Sequence, residues 1–309
     1  MTLEQLRIFV AVAEREHMTR AADSLGLVQS AVSSAVAALE NRYQTPLFHR
    51  VGRGIRLTEA GRLFMIEARA VLARAEAAET ALAELGGLKR GRLAIHASQT
   101  IASYWLPQRL VRFHRTYPDI EIALAIGNTA QVAAAVVEGA AELGFIEGTV
   151  DEPLLSEEEI GGDRLVLVAG TAGGFAHPDG EAGRAALMDL DWVLREPGSG
   201  TRSEFAAALR GFGLDPAVLR VALQLPSNEA VRAAVEAGAG VSALSELVAA
   251  AGLRAGTLRR FGVELPWRPF HALRHRQRYR SKAADALLSI VGSGDDGGLT
   301  ATSSSSCNC

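Results

Sequence analysis

Four short polar side chains, Gln29, Ser30, Ser33 and Ser34, open a segment with helical spacing that runs from Gln29 to Tyr43. Gln can pair bidentately with adenine, and Ser can bond base edges or phosphates, so this face suits DNA. An ordinary solvated helix face more often carries Lys and Glu, although a bland polar face is the competing reading. Between Arg42 and Arg62 there are five arginines and one acid, Glu59. Gly52 and Gly54 bracket Arg53, so VGRGIRLT reads as a hairpin with Arg at its tip. Arg50, Arg53 and Arg56 are then placed for phosphate or minor-groove contact; a solvated basic loop is the alternative.

The elements that must position these groups are legible around them. Leu3 to Arg15 is an amphipathic helix with Leu3, Leu6, Phe9, Val10 and Ala13 on its apolar stripe, which makes it scaffold. Met18 to Leu25 is a second short helix, with Ala21, Ala22 and Leu25 on one side, where small residues allow a close crossing. Gly26 can take the left-handed conformation that ends a helix. Val32, Val36 and Leu39 should face inward from the third helix. The arrangement is a helix-turn-helix with a wing. At this point LEQLRIFVAVAE, MTRAADSLGLVQSAVSSAVAALENRYQTPLFHR and RGIRLTEAG resemble the N-terminal domain of the LysR-type transcriptional regulators. The similarity covers the whole ordered chain. Family members commonly carry Pro where Ser30 stands and Arg where Ser34 stands.

Thr58 is a good N-cap, with Glu59 in the first turn of a long helix reaching about Leu85. Phe64, Ala68, Val71, Ala75, Ala78, Leu82 and Leu85 step by four and three, a heptad seam. Such a helix would extend roughly 42 Å. It reads as a dimerisation helix, with packing on its own domain as the alternative; the resemblance favours the dimer, because family members pair through this linker. Two recognition helices then predict a partly palindromic site with half-sites on successive turns. Gly86-Gly87 and Gly91 flank Leu88-Lys89-Arg90 as a hinge.

From Arg92 onward strands and helices alternate, as in an α/β chain with parallel sheets. The fold class expected is α/β overall: an N-terminal winged helix-turn-helix, a long linker helix, and a C-terminal effector domain. By resemblance that domain is bilobal and similar to periplasmic solute-binding proteins. The expected division is 1–59 for DNA binding, 60–90 for linker and hinge, and 91–292 for the effector domain. Lobe I would be 91–162 with 268–292, and lobe II 163–267. The Gly/Ser-rich tail 293–309 is expected to be disordered.

Several strand-to-helix turns carry hydroxyls, amides and glycines. They include Ser98, Gln99 and Thr100; Asn128 and Thr129; Gly198, Ser199, Gly200, Thr201 and Arg202; and Asn228. In open parallel sheets ligands bind at the carboxyl ends of strands, and helix N-termini favour anions. Each turn alone is plain helix capping. Together, in a family whose effectors bind between the lobes, they point to a small anionic effector. GSGTR and SNEAVRAAVEAGAGVSALS look similar to the branch that controls sulfur assimilation and carbon fixation, which hints at sulfite or a phosphorylated or carboxylated metabolite.

The net charge of −3 does not suit a DNA binder until it is divided: residues 1–90 carry 12 Lys+Arg and 10 Asp+Glu, and the remainder 20 and 25. HExxH, GxSxG, paired CxxC and Walker motifs are absent, and the histidines have no metal-ligand spacing, so neither an enzyme nor a metal site is expected. No cofactor is expected either. No apolar run spans a membrane, no signal peptide is visible, and both cysteines, Cys307 and Cys309, lie in the tail, which fits a cytoplasmic protein. The expected partners are double-stranded DNA, further copies of the chain as a homodimer or homotetramer, the effector, and RNA polymerase. Two other readings compete: an enzyme-like α/β domain fused to a DNA-binding module, and a DNA binder without an effector.

Overall fold

The structure is a computed structural model that describes residues 1–52, 54–85, 91–173 and 186–293. Arg53 at the expected wing tip, the expected hinge at 86–90, and the tail from 294 with both cysteines lie outside the described residues.

The first three helices are α1 (Leu3–Arg15), α2 (Met18–Leu25) and α3 (Gln29–Tyr43). A capping box between Thr2 and Gln5 starts α1, which satisfies backbone donors at its open end. Gly26, at φ +66°, ends α2 and returns its N–H to Ala22 and Asp23. Ala21 and Ala22 are buried with Ile8, Val12, Val32 and Val36, so small side chains set the close packing of the three helices. The wing follows as antiparallel β1 (Phe48–Val51) and β2 (Gly54–Leu57).

Thr58 then starts α4 (Glu59–Leu85), its hydroxyl accepting the Gly61 N–H at 2.9 Å. Of the heptad residues, half-buried Phe64 and buried Ala68 pack with Leu6, Phe9, Leu39 and Leu47 in their own DNA-binding domain. Among the described residues, the large apolar side chains that α4 leaves exposed are Leu63, Ile66, Val71 and Leu82, the first and last at 64% and 70%. A four-three spacing marks one face of a helix without saying what covers it.

The remaining strands, β3 to β11, form one sheet in the order β4-β3-β5-β11-β6-β9-β7-β8, with β10 (Leu258–Arg260) on β6. In the first half β3 (Gly91–Ser98) runs parallel to β4 (Ile120–Gly127) and to β5 (Leu143–Glu147). In the second half β7 (Asp191–Arg195) runs parallel to β8 (Arg220–Leu225) and to β9 (Val241–Ser245). Two long strands, β6 (Leu155–Gly170) and β11 (Trp267–His275), join the halves and pair antiparallel with each other and with their neighbours. The sheet is therefore mixed rather than parallel. The run of three glutamates and two glycines in LSEEEIGGD hides the first half of β6 from an apolar-run reading. Each half buries apolar residues in two clusters. In the first they are built on Leu93, Phe113, Phe145 and Phe270 and on Val132, Val136 and Ile146; in the second on Leu167, Trp192, Phe205 and Phe261 and on Val166, Val168 and Val231. The helices after these strands are α5 (Leu106–Thr116), entered through a π-helical turn at Ile101–Trp105, α6 (Thr129–Glu138), α7 (Gly200–Gly211), α8 (Asn228–Glu236), α9 (Glu246–Ala255) and α10 (Lys282–Gly292).

Candidate DNA-reading face and interlobe site

Helix α3 begins at Val28, which offers no side-chain cap and is 68% exposed. The first backbone N–H groups of α3 thus open toward solvent, where a helix end favours negative charge. Gln29 and Ser33 lie one turn apart, and Gln29 Nε2 donates to Ser33 Oγ at 3.1 Å. Ser30 and Ser34 are exposed beside them. Gln29, Ser30 and Ser34 are thus exposed and Ser33 is half-buried, while Val32, Val36 and Leu39 face the core.

In the wing, His49 pairs with Arg56 and Arg50 with Ile55. Directly paired residues share a face and successive residues alternate, so Arg50 and Arg56 leave the hairpin on opposite sides. Arg56 lies 3.9 Å from Glu16, a loose exposed pair. A residue not expected from the sequence joins reader and wing: Glu40 Oε1 accepts the N–H of Leu47 at 2.7 Å and of Phe48 at 3.1 Å. Close packing holds the other side, because a Cβ on Gly61 would stand 2.1 Å from the Leu47 carbonyl oxygen.

The hydroxyl-bearing turns of the second domain meet where its halves face each other. Gln99 Oε1 accepts the backbone N–H of Asn228 at 2.8 Å, and Asn228 Nδ2 donates to Thr100 Oγ1 at 3.1 Å. Asn128 caps α6 through Oδ1 and reaches Glu196 with Nδ2 at 3.3 Å, while Ala130 N–H donates to the Gly198 carbonyl. Tyr104 adds a bond to Glu229 at 3.1 Å. The expected turns are thus brought together across the two halves, and several of their polar groups satisfy one another.

Two hydroxyls there are left over. Ser98 Oγ and Thr129 Oγ1 are buried without a hydrogen-bond partner. Ser199, at the start of α7, is buried and makes no side-chain cap. Gly200 is a place where only glycine fits: a Cβ would stand 2.5 Å from Thr129 Oγ1 and 2.9 Å from Glu147 Oε2. An acid at the end of β5 therefore reaches the N-terminal end of α7, a position favourable to negative charge. Arg202 is engaged within its own half. Its Nη1 donates to the Arg195 carbonyl at 2.8 Å and to Gln224 at 2.7 Å, so it ties β7 to β8 within its own half.

The charged residues that fill the junction were not expected. Arg195 is buried, pairs with Glu196 at 2.8 and 2.9 Å, and donates to Asn228 at 2.6 Å. Burial works to raise the Glu196 carboxyl, but the Arg195 hydrogen bonds outweigh it and hold the group below the usual range. On the crossing strands, buried Arg268 binds Asp163 through two nitrogens at 2.7 Å and Thr201 at 3.1 Å, and Ser245 donates to the same carboxylate. Burial pulls the Arg268 guanidinium down, and the charges of Asp163 and Glu147 more than offset it, so it stays above its ordinary value. Burial pushes Glu204 up, opposed by Arg268 and reinforced by Glu147. A signal for these groups did exist: Glu147, Asp163, Arg195 and Arg268 each stand inside or beside an apolar strand, where a charge needs a partner.

A winged helix-turn-helix joined by a long helix to a bilobal α/β domain defines a DNA-binding regulator with a small-molecule-binding domain. Residues 3–62 match the family described as "Bacterial regulatory helix-turn-helix protein, lysR family", and residues 86–294 match "LysR substrate binding domain". The chain belongs to the LysR family of transcriptional regulators, not to an enzyme family. It is 36% identical over 290 residues to the uncharacterised HTH-type transcriptional regulator YeiE of Escherichia coli K12, covering 93% of this chain and 96% of that protein. It is 32% identical to a probable RuBisCO transcriptional regulator of a Nostoc species, covering 93% and 86%. Among solved structures, it is similar to a mutant of Corynebacterium glutamicum OxyR with bound H2O2, at TM-score 0.59 and 25% identity, covering 94% and 91%. It also shares its fold with CbnR complexed with its target DNA, at TM-score 0.67 and 23% identity, covering 94% and 99%. Among the described residues no single helix is long and apolar enough to cross a membrane.

Proposed function

We propose that the chain is a sequence-specific transcription regulator switched by a small anionic effector between the two lobes of its second domain. The proposed division is 1–59 for DNA reading, 60–90 for the linker and 91–292 for sensing. Gln29, Ser30, Ser33 and Ser34 read base edges or phosphates, and Arg50, Arg53 and Arg56 bind the backbone or minor groove. The effector site is built from Ser98, Gln99, Thr100, Asn128, Thr129, Gly198, Ser199, Gly200, Thr201 and Asn228. Arg202 acts as a brace for this turn rather than as a ligand contact.

The observation that carries the sensor reading is the pair of buried, unpartnered hydroxyls, Ser98 Oγ and Thr129 Oγ1, beside a helix start without a side-chain cap. A buried hydroxyl without a partner costs about 1–3 kcal/mol, which a ligand oxygen would offset. Glu147 repels a fully deprotonated ligand, so an anion that also carries a hydrogen-bond donor fits best. The relatives named as RuBisCO regulators support a carboxylated or phosphorylated metabolite, and resemblance to the sulfur branch supports a sulfur oxyanion.

The exposed Leu63, Ile66 and Leu82 support self-association through α4, as homodimer or homotetramer, and RNA polymerase is the proposed further partner in the cytoplasm. Ligand binding shifts the lobes only through its different affinity for two states. The test is a thermal-stability screen of the full chain with sulfite, sulfate, phosphate and phosphorylated carboxylates, repeated with Ser98→Ala. A ligand at a hundred times its Kd adds about 2.7 kcal/mol. A stabilising anion that loses its effect in the variant supports the site; no shift with any of them points to a regulator without an anionic effector.

A further inference from the structure

A pocket lies away from the interlobe turns, where α4 lies along lobe I. It encloses about 80 Å³ between Ala73, Ala77 and Thr80 of α4 and the turn after β11. The end of β11 and that turn read RHRQRYR, residues 274–280, and four of these seven residues are arginines. A cavity needs about 10–15 Å³ of such space to admit one water, so this one has room for a small oxyanion.

The arginines around it are unequally occupied. Arg278 donates to the carbonyls of Val136 and Val137 at 2.6 Å each, closing the C-terminal end of α6. Arg74 of α4 donates to the Gln277 carbonyl at 3.0 Å. Arg274 pairs with Asp285 through Nη1 at 2.6 Å, yet its Nε and Nη2 are buried without a hydrogen-bond partner. Its side chain is 12% exposed. A guanidinium presents five donors, and two buried ones left empty are a costly arrangement unless something fills them. Arg92 and Arg280 also line the pocket, and its acids are Glu76 and Glu142, the latter accepting the Ser281 N–H at 2.9 Å. Positive charge is crowded here. Burial and the neighbouring Arg74 pull Arg278 below its ordinary value, and burial with Arg278 and Arg74 does the same to His275, opposed by Glu152.

We propose that this junction pocket binds a small inorganic oxyanion of phosphate or sulfate size, held by Arg274, whose buried Nε and Nη2 lack partners and would turn toward the ion, with Arg280 and Arg92 at its rim. An ion there bridges the basic turn of lobe I and the facing side of α4, and so fastens the linker helix to the sensor domain. Gly139 indicates how close that contact is, since a Cβ on it would stand 2.2 Å from the Ala73 Cβ. The site is separate from the interlobe site and does not depend on it.

The test is calorimetric titration of the full chain with inorganic phosphate and with sulfate at low ionic strength. It uses the wild type, an interlobe variant carrying Ser98→Ala and Thr129→Val, and the junction variants Arg274→Gln, Arg280→Ala and Ala77→Glu. The last places a carboxylate in the pocket from α4 and serves if Arg274→Gln does not fold. The expected result is saturable binding that persists in the interlobe variant. It weakens about tenfold or more in Arg274→Gln, weakens in Arg280→Ala, and is lost in Ala77→Glu. Binding that disappears in the interlobe variant, no saturable binding in any form, or wild-type affinity in the folded junction variants would each overturn the proposal.

Discussion

The side-chain carbonyl of Gln99, at the end of β3, accepts the first backbone N–H of α8 at Asn228, 2.8 Å away across the two lobes. One lobe thereby caps a helix of the other. Capping is worth about 1 kcal/mol, so Gln99→Ala is expected to lower stability by roughly that amount and to loosen the lobes. Urea unfolding measures the first effect, and small-angle scattering with and without effector measures the second. An unchanged midpoint would show that the bond contributes nothing to closure.

Arg268→Met removes the partner of two buried acids, Asp163 and Glu147. Breaking a buried pair from one side typically costs about 3–5 kcal/mol, because the remaining charge stays buried. The expected result is a protein that unfolds at much lower denaturant concentration, with DNA-binding-domain packing intact by proteolysis. A loss below about 1 kcal/mol would mean that water reaches Asp163 freely.

Glu204 supplies a pH prediction. Burial raises its folded-state pKa, with Glu147 adding to the effect. The folded state therefore holds the proton more tightly than the unfolded chain, and this group's contribution to stability falls as pH rises from the ordinary carboxylate range through the raised value. Glu204→Gln is expected to raise the melting temperature at neutral pH and to lose that advantage in acid. A gain that is the same at every pH would assign the effect to packing.

Gln29→Ala is expected to relax preference at one base position, by about 1–3 kcal/mol. Binding selection from random sequence, compared between the two proteins, measures this directly. Equal weakening on all sequences would make Gln29 a phosphate contact. Its bond to Ser33 gives a second handle: Ser33→Ala frees the amide and should broaden the same position.

Arg56→Ala should reduce the salt slope of DNA binding by about one unit if it meets a phosphate. Arg50 and Arg56 point to opposite faces of the wing, so the two single variants are not expected to behave alike. Matching slopes in both variants and the wild type would take the described part of the wing out of the interface.

The sequence by itself determined the local elements of this protein and its family. Helices at Leu3–Arg15, Met18–Leu25 and Gln29–Tyr43 follow from periodicity, a glycine stop and small crossing residues, all of which act over a few residues. The hydroxyl-bearing turns were legible for the same reason, because a strand end followed by a capped helix leaves a short signature. What those turns face was decided only by the tertiary structure. Ser98 and Thr129 are partnerless, Gln99 is committed to Asn228, and Arg202 is committed to Gln224, though their types alone look equally suited to a ligand. The crossing strand β6 was half hidden because its acidic residues lie exposed at 157–159, whereas Asp163 is buried against Arg268 more than a hundred residues later. Likewise, the four-three repeat of α4 named a helix face, but only packing assigned Phe64 and Ala68 to their own domain and left Leu63, Ile66, Val71 and Leu82 to solvent. Helical spacing is set by bonds four residues apart; the partner of a buried charge is set by chain topology, which no short window of sequence contains.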